Sequence, residues 1–303
     1  MLQISKTRSG LIWLLTFAIF GAVLFLGIDS LFNQATSLDS TIRYDIVERS
    51  HYKIHVVTIP HDSNYTVVPE VSTLQSIQDF VDRDKEQIVA AINGGYFDPI
   101  NHKTTSFVVR DSQTVVDPRF NERLVDNPDL KQYLSKIFNR AEFRRYSCDA
   151  QIEYDIQLHS APIPPNCTLQ ASLGAGPGLL PQNTSEAEGF VAYRDGKKIR
   201  DAIGSDSLNA RSAIAITQTG DIILAMVAQQ PQQPLESGIS LTELTDFLSS
   251  LGAVKAMNLD GGSSSSLYYD GRIIYGKVDR DGRIVKRPIK SVLLVKQIAS
   301  DRS

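Results

Sequence analysis

Apolar residues along this chain come in short runs, broken by glycine, proline, aspartate and asparagine. Residues 51–60, HYKIHVVTIP, alternate apolar and polar positions, which predicts a half-buried strand. Residues 87–92, QIVAAI, predict a buried strand running into Asn93-Gly94-Gly95-Tyr96-Phe97-Asp98-Pro99. Residues 106–110 with 114–116 predict one hairpin, and 213–217 with 221–228 another, turned at Thr219-Gly220. Leu74, Ile77, Phe80 and Val81 fall at helical spacing and predict a short amphipathic helix within 73–84. Residues 240–251 predict a second helix, with Ser240 as cap, Glu243 at the capping-box position and Gly252 as terminator. Short strands are expected over 267–269, 272–275, 282–285 and 291–296, with Asp270-Gly271 and Asp281-Gly282 as turns.

One stretch departs from this rhythm. Residues 118–165 are charged, carry helical spacing in LKQYLSKIFNRAEF, and predict a helical insertion leading into an irregular, cysteine-bracketed region. With strands dominant and helices few, the pattern predicts a single α+β domain over 41–299, built on a mixed β-sheet.

At the N-terminus Lys6 and Arg8 precede an uncharged apolar run. Its core of about 18 residues makes about 27 Å of helix, close to the thickness of a hydrocarbon layer. Positive charge before the run predicts a cytoplasmic tail over 1–8, a transmembrane anchor over 9–29, a polar linker over 30–40 and an exported remainder. A cleaved signal peptide is the competing reading. Cys148 and Cys167 suit an oxidising compartment, and a disulfide between them closes a loop of about 20 residues, worth roughly 3 kcal/mol.

The 303 residues are 42% hydrophobic and 21% charged, with a net charge of -3, values that speak for a globular protein and against a polyanion-binding surface. No basic stripe with interleaved aromatics is present, so nucleic acid is not an expected partner.

The candidate chemistry lies in loops that follow or adjoin apolar strands. These are Asn93 to Pro99, the glycine-rich LGAGPGLL over 173–180, Asn209-Ala210-Arg211-Ser212, and MNLDGGSSSSL over 257–267. If their strands share a sheet, the loops converge at one end, bringing amides, an arginine, two aspartates and an aromatic pair together. Such a set suits a sugar ring flanked by an anion. Arg211 offers a bidentate fork for phosphate, with a surface ion pair as its plain alternative. Asp260 offers a carboxylate to water or to an oxocarbenium-like sugar, with a turn cap as its alternative. Asp98 is the second carboxylate candidate, and Asn93 and Asn258 would bind sugar hydroxyls or a phosphate oxygen. The oxygens of Asp98, Asp206 and Asp260 match no known calcium loop, so neither metal nor cofactor is expected. His102 and His159 show no catalytic partner, and the serine run lacks a G-x-S-x-G context.

INGGYFDP, GAGPGLL, ARSAIAIT and MNLDGGSSSSL, in this order, resemble the phosphodiester glycosidase family over about residues 45–295. The resemblance implies an exported domain that hydrolyses the bond between a sugar C1 and a phosphate, on a sugar-phosphate or polysaccharide substrate such as exopolysaccharide. It carries site roles onto Asn93, Gly94, Gly95, Tyr96 and Phe97, onto Gly176, Pro177 and Gly178, onto Arg211, and onto Asn258, Asp260, Gly261, Gly262 and Ser263; the neighbouring Ser264 is a further substrate-binding candidate. Ser263 stands where many members have a third glycine, and the 118–165 segment has no match in the family's animal enzyme. A non-catalytic glycan-binding envelope protein is the alternative function.

Overall fold

The structure is a computed structural model that describes residues 41–149 and 151–298. The expected tail, anchor and linker over 1–40 lie outside the described residues. Among the described residues no helix is long and apolar enough to cross a membrane.

Three sheets wall a common core. The first runs in the order β1 (Arg43–Glu48), β2 (Lys53–Ile59), β14 (Ile222–Ala228), β13 (Arg211–Thr217), β15 (Ala253–Asn258), β10 (Gly178–Leu180). The second runs β17 (Arg272–Tyr275), β16 (Ser266–Tyr269), β4 (Ile88–Asn93), β18 (Ile289–Gln297), β3 (Tyr65–Gln75). The third runs β6 (Gln113–Val116), β5 (Val108–Arg110), β9 (Cys167–Gly174), β7 (Ala141–Cys148), β8 (Gln151–Leu158). A separate hairpin, β11 (Val191–Arg194) with β12 (Lys197–Asp201), completes the strands.

The α+β expectation holds in its coarse form, but the expected mixed sheet does not. The strand pairings among the described residues are antiparallel. Parallel neighbours need a crossover of a dozen or more residues, usually helical, and this chain spends little of its length on helix.

β14 shows why the core forms where it does. Its sequence, IILAMVA, is apolar at every position, so both faces must be covered. Ile222, Leu224, Met226 and Ala228 enter the central core shared by all three sheets. Ile223, Ala225 and Val227 face the other way, onto Leu241, Leu244 and Leu248. Those three leucines lie on one stripe of the helix Leu241–Ser250, which starts at the expected Ser240–Glu243 capping box. β2 is buried on both faces by the same layering, not half-buried: Val57 and Ile59 point to the central core, Ile54 and Val56 to the helix side. On the far side of the second sheet, the helix Ile77–Asp82 buries Ile77, Phe80 and Val81 against Ala91, Val292 and Leu294. It begins later than its periodicity suggested, because β3 runs through Gln75 and claims Leu74.

The helical insertion is the main correction. Within 118–165 helix is confined to Glu122–Val125, Leu134–Ile137 and two single 3-10 turns. From Ala141 onward the chain is strand: Ala141 and Phe143 enter the core while Glu142 and Arg144 take the other face. Cys148 faces Cys167 directly across β7 and β9, and the two are disulfide-bonded. The expected strand at 282–285 reduces to one bridge, Val278 with Ile284, within an arm spanning 276–288.

Candidate active site

β4 and β15 belong to different sheets, and their C-terminal ends deliver two loops to one place. The Asp260 N–H donates to the Gly94 carbonyl at 3.0 Å. The Asn93 Nδ2 donates to the Asp260 carbonyl at 2.6 Å, while Asn93 Oδ1 accepts from Ser212 Oγ at 2.6 Å and Ser266 N at 3.0 Å. Asn93 is 0% exposed. Its amide is spent inside the protein, so it pins the loops together and offers nothing to a sugar hydroxyl.

Glycine is required where the loops touch. A Cβ on Gly95 would collide with the Gly174 carbonyl, which is how the NGGYF and LGAGPGLL loops approach each other. Gly262 holds φ +60, left-handed backbone that favours glycine, at the start of the 3-10 turn Gly262–Ser264. Gly176, Pro177 and Gly178 are buried behind this surface. The Gly176 carbonyl accepts from Tyr96 OH at 2.9 Å, the Pro177 carbonyl from Asn258 N at 2.9 Å.

Asp260 is the acid the loops converge on. Burial pushes its carboxyl up to about 6, against the opposing pull of the Ser264 hydroxyl, the Arg287 charge and the Gly261 N–H. Beside it Asn258 is fully buried, its Nδ2 donating to Tyr96 OH at 2.7 Å. Tyr96 is partly exposed. Burial, and secondarily the nearby Asp260 charge, raises its phenol well above the usual range.

The other sequence candidates are placed differently. Arg211 lies against the site, with its Cδ 3.7 Å from where a Gly261 Cβ would stand. Its guanidinium, however, donates to the carbonyls of Ile203 at 3.0 Å, Gly204 at 2.5 Å, Ser207 at 3.2 Å and Ile239 at 3.3 Å. The fork is therefore occupied by backbone, and Arg211 supplies fixed charge beneath the loop. Asp98 Oδ1 caps its own turn, accepting from Ile100 N at 2.7 Å and Asn101 N at 3.2 Å, and Oδ2 pairs with Arg123 at 3.0 Å. Burial would raise its pKa, but these bonds hold it below the ordinary value. Asp206 pairs with Lys198, and no cluster of three metal-ligating side chains occurs among the described residues.

Four residues at or behind the site escape sequence reasoning. Arg287 donates to Ser263 Oγ at 3.0 Å and lies 4.7 Å from the Phe97 ring centre, covering it. Lys277 donates to Asn209 Oδ1 at 3.2 Å, beside Gly262. Both come from the 276–288 arm, whose basic character was the one available signal. Glu188, 0% exposed, accepts from Gly178 N at 2.7 Å and Ala141 N at 2.8 Å, tying the GPG loop to β7. Arg140, just before β7, sits over Phe190 and Tyr96.

The sequence profile of the phosphodiester glycosidase family matches residues 86–296, from β4 into β18 and so across every loop of the site. The chain belongs to the phosphodiester glycosidase family. No curated protein matches the chain by sequence. Among solved structures, the catalytic domain of zebrafish N-acetylglucosamine-1-phosphodiester alpha-N-acetylglucosaminidase, auto-inhibited by its pro-peptide, aligns with TM-score 0.58 and 16% identity, over 86% of this chain and 84% of that one. A hypothetical protein from Synechocystis aligns with TM-score 0.52 and 18% identity, over 84% of this chain and 62% of its own length. A putative exported protein from Burkholderia pseudomallei aligns with TM-score 0.55 and 14% identity, over 80% of this chain and 74% of that one. These identities make the likeness one of fold; the family's glycosidase chemistry rests on the profile.

Proposed function

We propose that the domain hydrolyses a sugar-1-phosphodiester, cleaving between the sugar C1 and the phosphate. The observation that carries this is one carboxylate, Asp260, in a loop abutted by cations that are not tied up in close ion pairs. Arg211 underlies Gly261, Lys277 reaches Gly262 through Asn209, and Arg287 holds Ser263. None of the three belongs to an ion pair among the described residues.

That charge arrangement fits the reaction. Cleavage at C1–O expels a phosphate monoester, a weakly basic anion that needs little help from a general acid. What it needs is positive charge where negative charge accumulates. With the oxygens of Asp98 and Glu188 already bonded, the site offers one working carboxylate, which suffices for such a leaving group. Asp260, ionised for the most part at neutral pH, takes the proton from attacking water or stabilises the oxocarbenium-like sugar. Tyr96, the more exposed of the aromatic pair, offers the apolar contact for the ring, since Phe97 is buried beneath Arg287.

The Lys6 and Arg8 charges ahead of the apolar run support an extracytoplasmic site behind an N-terminal anchor, which makes envelope glycan or exopolysaccharide the expected substrate class. The deciding experiment is Asp260→Asn in the full chain, assayed on a panel of alkyl sugar-1-phosphodiesters for release of reducing sugar. Turnover by the wild type, lost in a variant that melts as a folded protein, supports the reading. Undiminished turnover removes Asp260 from the chemistry. Glycan binding by a wild type that hydrolyses nothing in the panel favours a binding module instead.

A further inference from the structure

Three arginines among the described residues are more than nine-tenths buried: Arg140 at 7% exposure, Arg144 at 2% and Arg211 at 2%. A guanidinium carries five N–H donors and does not shed its charge, and buried polar groups are as a rule bonded. Two of the three are saturated within the protein. Arg144 donates to Glu142, to Tyr146 OH and to the carbonyls of Leu158, His159 and Ala161. Arg211 is saturated by the four carbonyls described above. Arg140 has one weak bond, from Nε to the Glu188 carbonyl at 3.4 Å, and its two terminal nitrogens meet no acceptor among the described residues.

Glu188 is not its ion-pair partner. That carboxylate is taken by Ala141 N, Gly178 N and Thr184 Oγ1. Instead the Arg140 guanidinium lies 3.9 Å from the Phe190 ring centre and 5.9 Å from that of Tyr96. Aromatic faces hold a cation in place without consuming its N–H groups. Burial brings its pKa down to about 10, so the charge remains at neutral pH. Tyr96 ties this group to the reaction centre. Its phenol lies within electrostatic reach of both Arg140 and Asp260, and it accepts from Asn258, two residues before the catalytic acid.

We propose that Arg140 selects the substrate's charge, receiving phosphoryl oxygens on its two terminal nitrogens beside the Tyr96 ring, with the sugar directed toward Asp260. This rests on the phosphodiester reading and names the residue that enforces it. The fork matches two oxygens of a phosphate, and no internal bond has to break to receive them. Arg140 lies within the 118–165 segment, which the sequence resemblance left unmatched.

The test uses Arg140→Met and Arg140→Lys in the full chain, with two substrates sharing one sugar: an alkyl sugar-1-phosphodiester and a 4-nitrophenyl glycoside, whose leaving group has no phosphate. In Arg140→Met, kcat/KM on the diester is expected to fall about 10- to 100-fold, the usual weight of charge-assisted hydrogen bonds, with the glycoside nearly unaffected and Arg140→Lys intermediate. Equal losses on both substrates overturn the proposal, because a merely structural arginine moves both. Calorimetric titration with inorganic phosphate gives a readout independent of turnover. Binding by the wild type that weakens at least about tenfold in Arg140→Met supports the assignment. No binding by the wild type, or equal binding by folded variants, overturns it. If Arg140→Met does not fold, Arg140→Lys carries the same comparison, since it keeps the charge and loses the fork. Failure of the parent reading looks different: phosphate binding then depends on Arg140, while the wild type hydrolyses no diester.

Discussion

The Asn93 side chain donates to the Asp260 carbonyl at 2.6 Å while its own oxygen accepts from Ser212 and Ser266. One fully buried amide thus joins β4, β13, β16 and the loop bearing Asp260. Asn93→Ala leaves three buried groups without this partner, at about 1–3 kcal/mol for each that stays unsatisfied. The expected result is a lower urea midpoint with an unchanged slope, together with reduced turnover in the folded protein. A variant as stable as the wild type would mean that water or a neighbour replaces the amide.

Asp260→Asn is expected to stabilise the protein at neutral pH while abolishing its activity. Burial raises the carboxyl from 3.8 to about 6, so the fold prefers the protonated form. At about pH 4 and below the difference from asparagine is small. Between about pH 4 and 6 the unfolded chain releases its proton while the folded one retains it, and wild-type stability falls. Above about pH 6 the full penalty is present, up to about 3 kcal/mol. Urea unfolding of both proteins at pH 4 and pH 7.5 checks this, and a pH-independent difference refutes it. In the same range, wild-type kcat/KM should climb through an apparent pKa near 6 as the carboxylate forms.

Arg287 is the cation that restrains this shift, opposing burial together with the larger pull of the Ser264 hydroxyl. Replacing it with methionine removes the positive charge and should move the acidic limb of the pH–rate profile upward by up to about one unit. Arg287→Lys should leave the limb nearly in place. A limb unmoved in Arg287→Met would show that Arg287 acts on the substrate and not on Asp260.

The loops were legible because their demands are local. Gly95 must pass against the Gly174 carbonyl and Gly262 must take a positive φ, and such requirements leave glycine in the sequence for anyone to read. The layered core was legible for a similar reason, since IILAMVA can only be a strand covered on both faces. What the sequence hid were the partners. Arg211 reads as a phosphate fork until four carbonyls, from positions 203 to 239, are seen to occupy it. Arg140 and Arg287 sit in no motif, and the rings they contact, Phe190, Tyr96 and Phe97, are distant in sequence. The helical spacing of Leu130, Leu134 and Ile137 likewise masked the period-two alternation that begins at Ala141.

β7 also separates stability from activity. Arg140 immediately precedes its first residue, and Cys148, its last, lies about 26 Å from Arg140 at strand rise. The disulfide closes a loop with a sequence separation of 19, so its loss should cost roughly 3 kcal/mol, mainly by freeing the unfolded chain. Cys148→Ser/Cys167→Ser should therefore melt several degrees lower yet retain wild-type kcat/KM on a diester at temperatures where it remains folded. The β7–β9 ladder continues from Cys148 back to Glu142, which holds the Arg140 end of the strand in register without the bond. If the double variant loses turnover while still folded, the register is not self-sustaining, and the cysteines help to position Arg140.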